Sequence, residues 1–149
     1  GMIIRFSEEE ILSKSRGAGG VRGMDVDDED AVIAAEVVQE GVTILTVTER
    51  GFGKRTPLDE YRLTGRGGKG IIDIKTDGRN GPVVGMLQLR EGDDILVVTT
   101  KGKLIRMHAD GVRSQGRNTM GVRIIALEND DRVGSIARVE AEQAPAEVQ

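Results

Sequence analysis

Thr64-Gly65-Arg66-Gly67-Gly68-Lys69-Gly70 sets two cations among four glycines, and the pattern returns twice. Fifty residues earlier stands Lys14-Ser15-Arg16-Gly17-Ala18-Gly19-Gly20, and fifty-one later Gln115-Gly116-Arg117-Asn118-Thr119-Met120-Gly121, each with Arg third and Gly last. Glycine admits positive φ and close backbone approach, while arginine presents a planar fork suited to phosphate oxygens. The period extends beyond the loops, through Arg5, Arg55 and Arg106, Gly1, Gly51 and Gly102, and Val32, Val83 and Val133. A period near fifty with several short strands per unit is the mark of a propeller-like array, in which one small sheet cannot bury its face alone. The expectation is an all-β fold of three blades, with repeats at about 1–40, 41–91 and 92–139 and a tail at 140–149.

Each repeat reads as four short strands. In the second, residues 42–48 alternate β-branched and polar side chains, turn at Glu49-Arg50-Gly51 and return through 52–56, a hairpin signal. Pro57 opens a helical turn, the loop follows, and strands are predicted at 71–75 and 82–89. The third repeat copies this with strands at 95–100, 103–107, 122–127 and 133–139. The first begins at the hairpin tip with the β-prone run 2–6, so its opening strand is missing and Ile3, Ile4 and Phe6 form an unpaired apolar edge. Its Ser7 and Glu10 have capping-box spacing, and strands are expected at 21–26 and 31–38. Two copies are expected to associate through such open edges.

The net charge of −4 conceals blocks of opposite sign. Residues 24–49 hold eight acids and no Lys or Arg, 50–80 hold eight bases against four acids, and 101–123 hold six bases against Asp110. Each basic segment contains one glycine–arginine loop. There is no cysteine, which excludes disulfides and thiolate metal sites, and no apolar run is long enough to span a membrane. The amino terminus lacks the pattern of a secretory signal. The cluster Asp27, Asp28, Glu29 and Asp30 lacks the glycine and alternating ligands of a calcium loop and reads as a solvated turn.

Gly65, Gly67 and Gly70 satisfy the letters of a dinucleotide fingerprint, but a β-run follows where a helix is required. Lys69 is followed by Gly70 rather than Ser or Thr, which excludes a phosphate-binding P-loop, and no cofactor is expected. His108, the sole histidine, has no catalytic motif around it and reads as a surface imidazole at a helical turn. Phe6, Phe52 and Tyr61 are the only aromatics, too few for base stacking, which favours a duplex backbone over single strands. The candidate contacts are Arg16, Lys54, Arg55, Arg66, Gly67, Gly68, Lys69, Gly70, Lys103, Arg106 and Arg117. The competing reading is that the loop arginines brace neighbouring blades. A protein-interaction propeller using the acidic block 24–49, or a dinucleotide enzyme, are the other classes weighed.

Four stretches carry a family resemblance: Gly51-Phe52-Gly53-Lys54-Arg55-Thr56, Gly70-Ile71-Ile72-Asp73-Ile74-Lys75, Asn80-Gly81-Pro82-Val83-Val84-Gly85, and Gly116-Arg117-Asn118-Thr119-Met120-Gly121-Val122. With them, residues 1–139 resemble the carboxy-terminal domain of the DNA gyrase A subunit. The resemblance implies a β-pinwheel whose basic rim wraps duplex DNA, within an ATP-dependent type IIA topoisomerase of the bacterial cytoplasm that introduces negative supercoils. Its implied partners are double-stranded DNA, the amino-terminal cleavage domain and the gyrase B subunit; the corresponding domain of topoisomerase IV is the nearest alternative. The family's signature box reads Gln-Arg-Arg-Gly-Gly-Lys/Arg-Gly, and Arg66, Gly67, Gly68, Lys69 and Gly70 match its last five positions. Thr64 and Gly65 depart from it, which implies a degenerate copy from a later blade, with the full box upstream. The family's DNA-cleaving tyrosine lies in another domain, and the surroundings of Tyr61 do not match it, so no catalytic centre is implied here.

Overall fold

In the computed structural model, which describes residues 1–142, nine strands are interrupted by three short 3₁₀ turns. The strands are β1 (Met2–Ile3), β2 (Thr43–Thr48), β3 (Phe52–Pro57), β4 (Ile71–Ile72), β5 (Val83–Leu89), β6 (Asp94–Thr99), β7 (Leu104–His108), β8 (Val122–Arg123) and β9 (Val133–Val139). They form an antiparallel pair β1-β4, a four-stranded sheet β5-β2-β3-β8 and a three-stranded sheet β7-β6-β9. The β2-β3 hairpin pairs Thr43 with Pro57 and Val47 with Gly53, as its alternation predicts.

The sheets are not built repeat by repeat. The outer strand of the second sheet, β8, comes from the third repeat and pairs Val122 with Gly53 and Arg123 with Phe52. In the same way β4 of the second repeat pairs with β1 of the first, Ile72 with Met2 and Ile71 with Ile3. Each repeat therefore lends its third strand to the preceding blade, so the four-stranded unit expected for each repeat is assembled from two. This also corrects the expectation for residues 2–6: the outer side of this edge is covered by the chain itself, with Thr64 N donating to the Arg5 carbonyl at 2.9 Å.

Two predicted strands are absent. Residues 21–26 and 31–38 have no ladder, because the described residues place no strand beside them to accept one, whereas β5 and β9 each pair along a full central strand, β2 and β6. Single bonds hold these two segments instead, such as Asp25 N to the Gly68 carbonyl and Gln88 Nε2 to the Val37 carbonyl. The lent strands are shorter than their apolar runs, Ile71–Ile72 and Val122–Arg123, since glycine loops precede them and only isolated bridges such as Ile74 with Thr119 follow.

Between the second and third sheets lies the main core, where Leu45, Val47, Leu89, Ile95, Val97 and Val112 are buried. Fully burying each such side chain contributes roughly 1.5–3 kcal/mol. A smaller cluster of Val42, Ile44 and Tyr61, with Ile3, Leu58 and Met86 against it, joins the first repeat to the second sheet. Tyr61 is buried in this cluster. Its hydroxyl donates to Asp73 Oδ1 at 2.5 Å, and Thr46 Oγ1 donates to Asp73 Oδ2 at 2.6 Å. Burial, with the adjacent Asp73 carboxylate, pushes the Tyr61 phenol far above its ordinary value.

At the corner between β6 and β9, Asp131 accepts from Thr100 Oγ1 at 3.0 Å, Lys101 N at 3.1 Å and Arg132 N at 2.8 Å. Burial alone would raise this carboxyl, but the hydroxyls of Thr99 and Thr100 and the two backbone N–H groups outweigh it, holding it at about 2 against an ordinary 3.8. Its folded value lies below its unfolded one, so the stability it contributes is complete above about pH 4 and is lost as the pH falls through about 2. Asp131→Asn is expected to flatten the fall of the urea midpoint between about pH 5 and 2.5. An unchanged acid slope would remove Asp131 from the account.

Candidate nucleic-acid interface

The loops 64–70 and 115–121 share one pattern of bonding to the repeat before them. Position four lies in the left-handed region in both, as Gly67 with φ +81 and Asn118 with φ +57, and so does the final glycine, Gly70 at +78 and Gly121 at +72. The final glycine abuts the strand of the preceding repeat that the chain then pairs with: a Cβ on Gly70 would lie 2.3 Å from the Ile3 carbonyl oxygen, and one on Gly121 2.4 Å from that of Gly53. The last glycine of the pattern thus permits the strand exchange, since it brings the chain onto the edge it is about to pair with.

The third-position arginines brace. Arg66 Nε donates to the Glu10 carbonyl at 3.2 Å and its Nη1 to that of Arg22 at 2.9 Å. Arg117 repeats this one blade on, Nε to the Glu60 carbonyl at 2.9 Å and Nη1 to that of Ile72 at 2.9 Å. Each binds the 3₁₀ turn of the preceding repeat, Glu8–Glu10 or Leu58–Glu60. The Glu10 carboxylate accepts from Arg66 N at 3.1 Å and Ser7 Oγ from Glu9 N, so a simple N-cap forms in place of the predicted capping box, whose glutamate is drawn to the neighbouring loop.

The other candidates divide. Lys54 is wholly buried, donating to the carbonyls of Asp73 and, at 2.9 Å, Gly116, with Asp73 Oδ1 3.9 Å away. Burial lowers its pKa and Asp73 opposes that. It is an internal strut and is withdrawn from the phosphate set, because no duplex can reach it. Arg55 donates to the Val112 carbonyl at 2.8 Å, as Arg5 does to that of Tyr61 at 3.0 Å, so this position also ties one repeat to the next. Arg106 instead donates to Asp94 Oδ2 at 2.7 Å, and its side chain stays mostly exposed. His108 bonds the other Asp94 oxygen at 2.5 Å from the N-cap of the third turn, at the surface. Arg106 and His108 together hold the Asp94 carboxyl below its usual range.

Lys69 is exposed and paired with Asp27 at 2.7 Å, each shifting the other toward its charged form. Such a surface pair is weak and readily exchanged for another anion. Lys103 and Arg16 are exposed, on the β6-β7 turn and on the first loop. Gly67 and Gly68 are engaged by the first repeat, Gly67 N donating to the Gly23 carbonyl at 2.7 Å and Asp25 N to that of Gly68 at 2.9 Å.

Two cations were missed by sequence reasoning. Arg62 and Arg113 stand fifty-one residues apart, just before each loop, and both are exposed, with no side-chain hydrogen bond or ion pair among the described residues. Arg62 lines a cleft of about 240 Å³ together with Thr64, Gly65, Gly68 and Lys69. The period that reveals the loops contains this pair, with Leu12 at that place in the first repeat.

A family model described as DNA gyrase C-terminal domain, beta-propeller, matches residues 1–39, 43–90 and 93–140. The chain belongs to this family. It is 41% identical over 140 residues, 94% of its length, to the DNA gyrase A protein of Pseudomonas aeruginosa, and 44% identical over 138 residues, 91% of its length, to that of Haloquadratum walsbyi. It spans 15% and 16% of those proteins. Among solved structures, a DNA gyrase A C-terminal domain superimposes with a TM-score of 0.85 at 30% identity, over 93% of this chain and 47% of that one. The C-terminal domain of a DNA topoisomerase IV superimposes equally well, with a TM-score of 0.86 over 95% of this chain and 45% of that one, but at 24% identity it speaks for the shared β-pinwheel fold alone. Among the described residues no helix is long and apolar enough to cross a membrane.

Proposed function

We propose that the chain binds double-stranded DNA through phosphates on its outer rim and curves it, as part of a type IIA topoisomerase that works with an amino-terminal cleavage domain and a gyrase B subunit in the cytoplasm. The observation that carries this reading is the recurrence of an exposed arginine, unpaired among the described residues, just before the loops 64–70 and 115–121, Arg62 and Arg113. A brace needs a partner carbonyl, which Arg66 and Arg117 have; a rim cation repeated at the same blade position without one is suited to a repeating ligand such as a phosphodiester backbone. Lys69 joins Arg62 by releasing Asp27, and Lys103 and Arg16 extend the set. Membership of the gyrase family favours gyrase over topoisomerase IV, and the domain is read as the partial pinwheel 1–139.

The mechanism uses no chemistry at the chain's own residues. Each phosphate neutralised releases counterions, and that gain offsets the cost of bending the duplex without reading its sequence. Curvature of fixed hand then presents a second duplex segment to the cleavage core with one crossing sign, which ATP-driven strand passage converts to negative supercoils. The test is equilibrium binding of fluorescent duplexes of unrelated sequence, without nucleotide, across salt concentration. Similar affinities that weaken together with salt are expected. Binding that ignores salt, or prefers single strands, would contradict the proposal.

A further inference from the structure

Where the second repeat joins the third, one corner gathers Arg50, Arg79 and Arg123, all exposed and without an acidic partner among the described residues. Phe52, at the start of β3, is buried beneath two of them. The Arg79 guanidinium lies 4.4 Å from the centroid of its ring, and that of Arg123, which pairs with Phe52 from β8, lies 5.6 Å away. Arg50 N donates to the Asn80 carbonyl at 3.2 Å, which brings the hairpin tip against the turn that carries Arg79. Glu49, the carboxylate beside Arg50, is taken by Arg132 at 2.7 Å. We propose that Arg50, Arg79 and Arg123 form a second phosphate site, which grips the backbone of a bound duplex at this junction and not at the one before it. This rests on the duplex-binding reading above.

The repeat shows that the corner folds without such charge. Asn80 and Asp131 are equivalent buried residues, each holding the N–H of a hairpin tip, Asn80 through its carbonyl that of Arg50, and Asp131 through Oδ1 that of Lys101 at 3.1 Å. The equivalents of Arg50 and Arg79 are therefore Lys101 and Asp130, and those two form an ion pair. The third repeat closes this corner with opposite charges, whereas the second places two cations there. Like charges at neighbouring positions repel, and an anion that both can reach relieves the repulsion. At the first junction the places of Arg79 and Arg123 hold Glu29 and Ile72, so the cluster is peculiar to the second. Covering Phe52 accounts for the stacked guanidinium groups and leaves Arg50 unexplained.

The chemistry suits a phosphodiester. Stacking on Phe52 and one bond, from Nη2 to the Gly121 carbonyl at 2.9 Å, orient Arg79 while spending one of its five N–H donors. Arg66 and Arg117 each commit both Nε and Nη1 to carbonyls. An oriented guanidinium with donors to spare matches phosphate oxygens at little entropic cost. The placement suits a duplex as well. Arg55 N donates to the Arg113 carbonyl and Phe52 pairs with Arg123, so Arg113 and Arg123 stand three β3 residues apart. That is roughly 10 Å, between the minor and major groove widths of about 6 and 12 Å. Two anchors at this spacing can hold the two backbones that border one groove.

The test is duplex binding by the whole chain across salt concentration, with Arg50→Glu, which supplies Arg79 with an ion pair like that of the third repeat, and separately with Arg123→Gln. Arg50→Glu is expected to keep or raise the thermal midpoint while reducing the slope of log affinity against log salt by about 2, since one guanidinium is removed and another neutralised. Arg123→Gln is expected to reduce the slope by about 1. If the unaltered chain binds duplexes in a salt-dependent way and both variants keep its slope, this proposal is overturned and the duplex-binding reading stands; lowered midpoints in those variants would make the arginines covers for Phe52. An unaltered chain without salt-dependent duplex binding would overturn both.

Discussion

Lys54→Met should lower the unfolding free energy by about 3–5 kcal/mol, the largest effect expected from any cation in the chain. Methionine matches the length of the stem but supplies no donor. The carbonyls of Asp73 and Gly116 would lose their partner, and the Asp73 carboxylate its nearby positive charge, where Lys54 and Asp73 are both buried. Removing one member of a buried pair costs far more than the pair contributes, because the survivor stays desolvated. The loss should also loosen loop 115–121, since Gly116 belongs to the next repeat. Urea denaturation measures it, with exposed Lys103→Met as the control that should change little. A cost below about 1 kcal/mol would mean that Lys54 can leave the interior, and would reopen its place among the rim cations.

Gly121→Ala should cost about 2–4 kcal/mol through two additive causes, a left-handed backbone at a residue with a Cβ and a backbone collision. The collision has little room for relief: the added carbon meets the Gly53 carbonyl oxygen at 2.4 Å, its carbon at 2.8 Å and its Cα at 3.2 Å, all in the strand that β8 must pair with. Relief requires β8 to leave β3, so hydrogen exchange should speed at Gly53 and Val122 before it does at β6. Gly102→Ala is the comparison, with φ +85 but nothing within 4 Å, and should show the conformational cost alone. Equal destabilisation by both substitutions would contradict the close-approach argument.

The repeat made much of this fold legible. The hairpins β2-β3 and β6-β7 and the inner strands β5 and β9 follow from alternation and turn glycines, because each finds its partner within its own repeat. What sequence could not supply was the exchange of outer strands. A two-residue strand such as β4 has no periodicity to detect, and its pairing with β1 crosses about seventy residues. The same limit explains residues 31–38, whose pattern is that of a strand and whose conformation depends on a neighbour.

The candidate interface was harder to read, since identical arginines do different work. Arg66 and Arg117 lie where the pattern is most conspicuous, yet their guanidinium groups are engaged by carbonyls of the preceding repeat. A run of glycines with one arginine permits both a phosphate cradle and a brace, and only the position of the neighbouring blade decides between them. Lys54 and Arg55 are adjacent in sequence but alternate across a strand, one facing the interior and the other the next repeat.

The central claim, that braces and phosphate contacts are separate sets of residues, is tested most directly by the salt dependence of duplex binding in two double variants. Arg62→Ala with Arg113→Ala should reduce the slope of log affinity against log salt by about 2 while leaving the thermal midpoint nearly unchanged. Arg66→Ala with Arg117→Ala should lower the thermal midpoint and keep the slope among molecules that remain folded. If the slope instead falls only in the second pair, the arginines held by carbonyls are the DNA contacts and the division between the two sets is wrong.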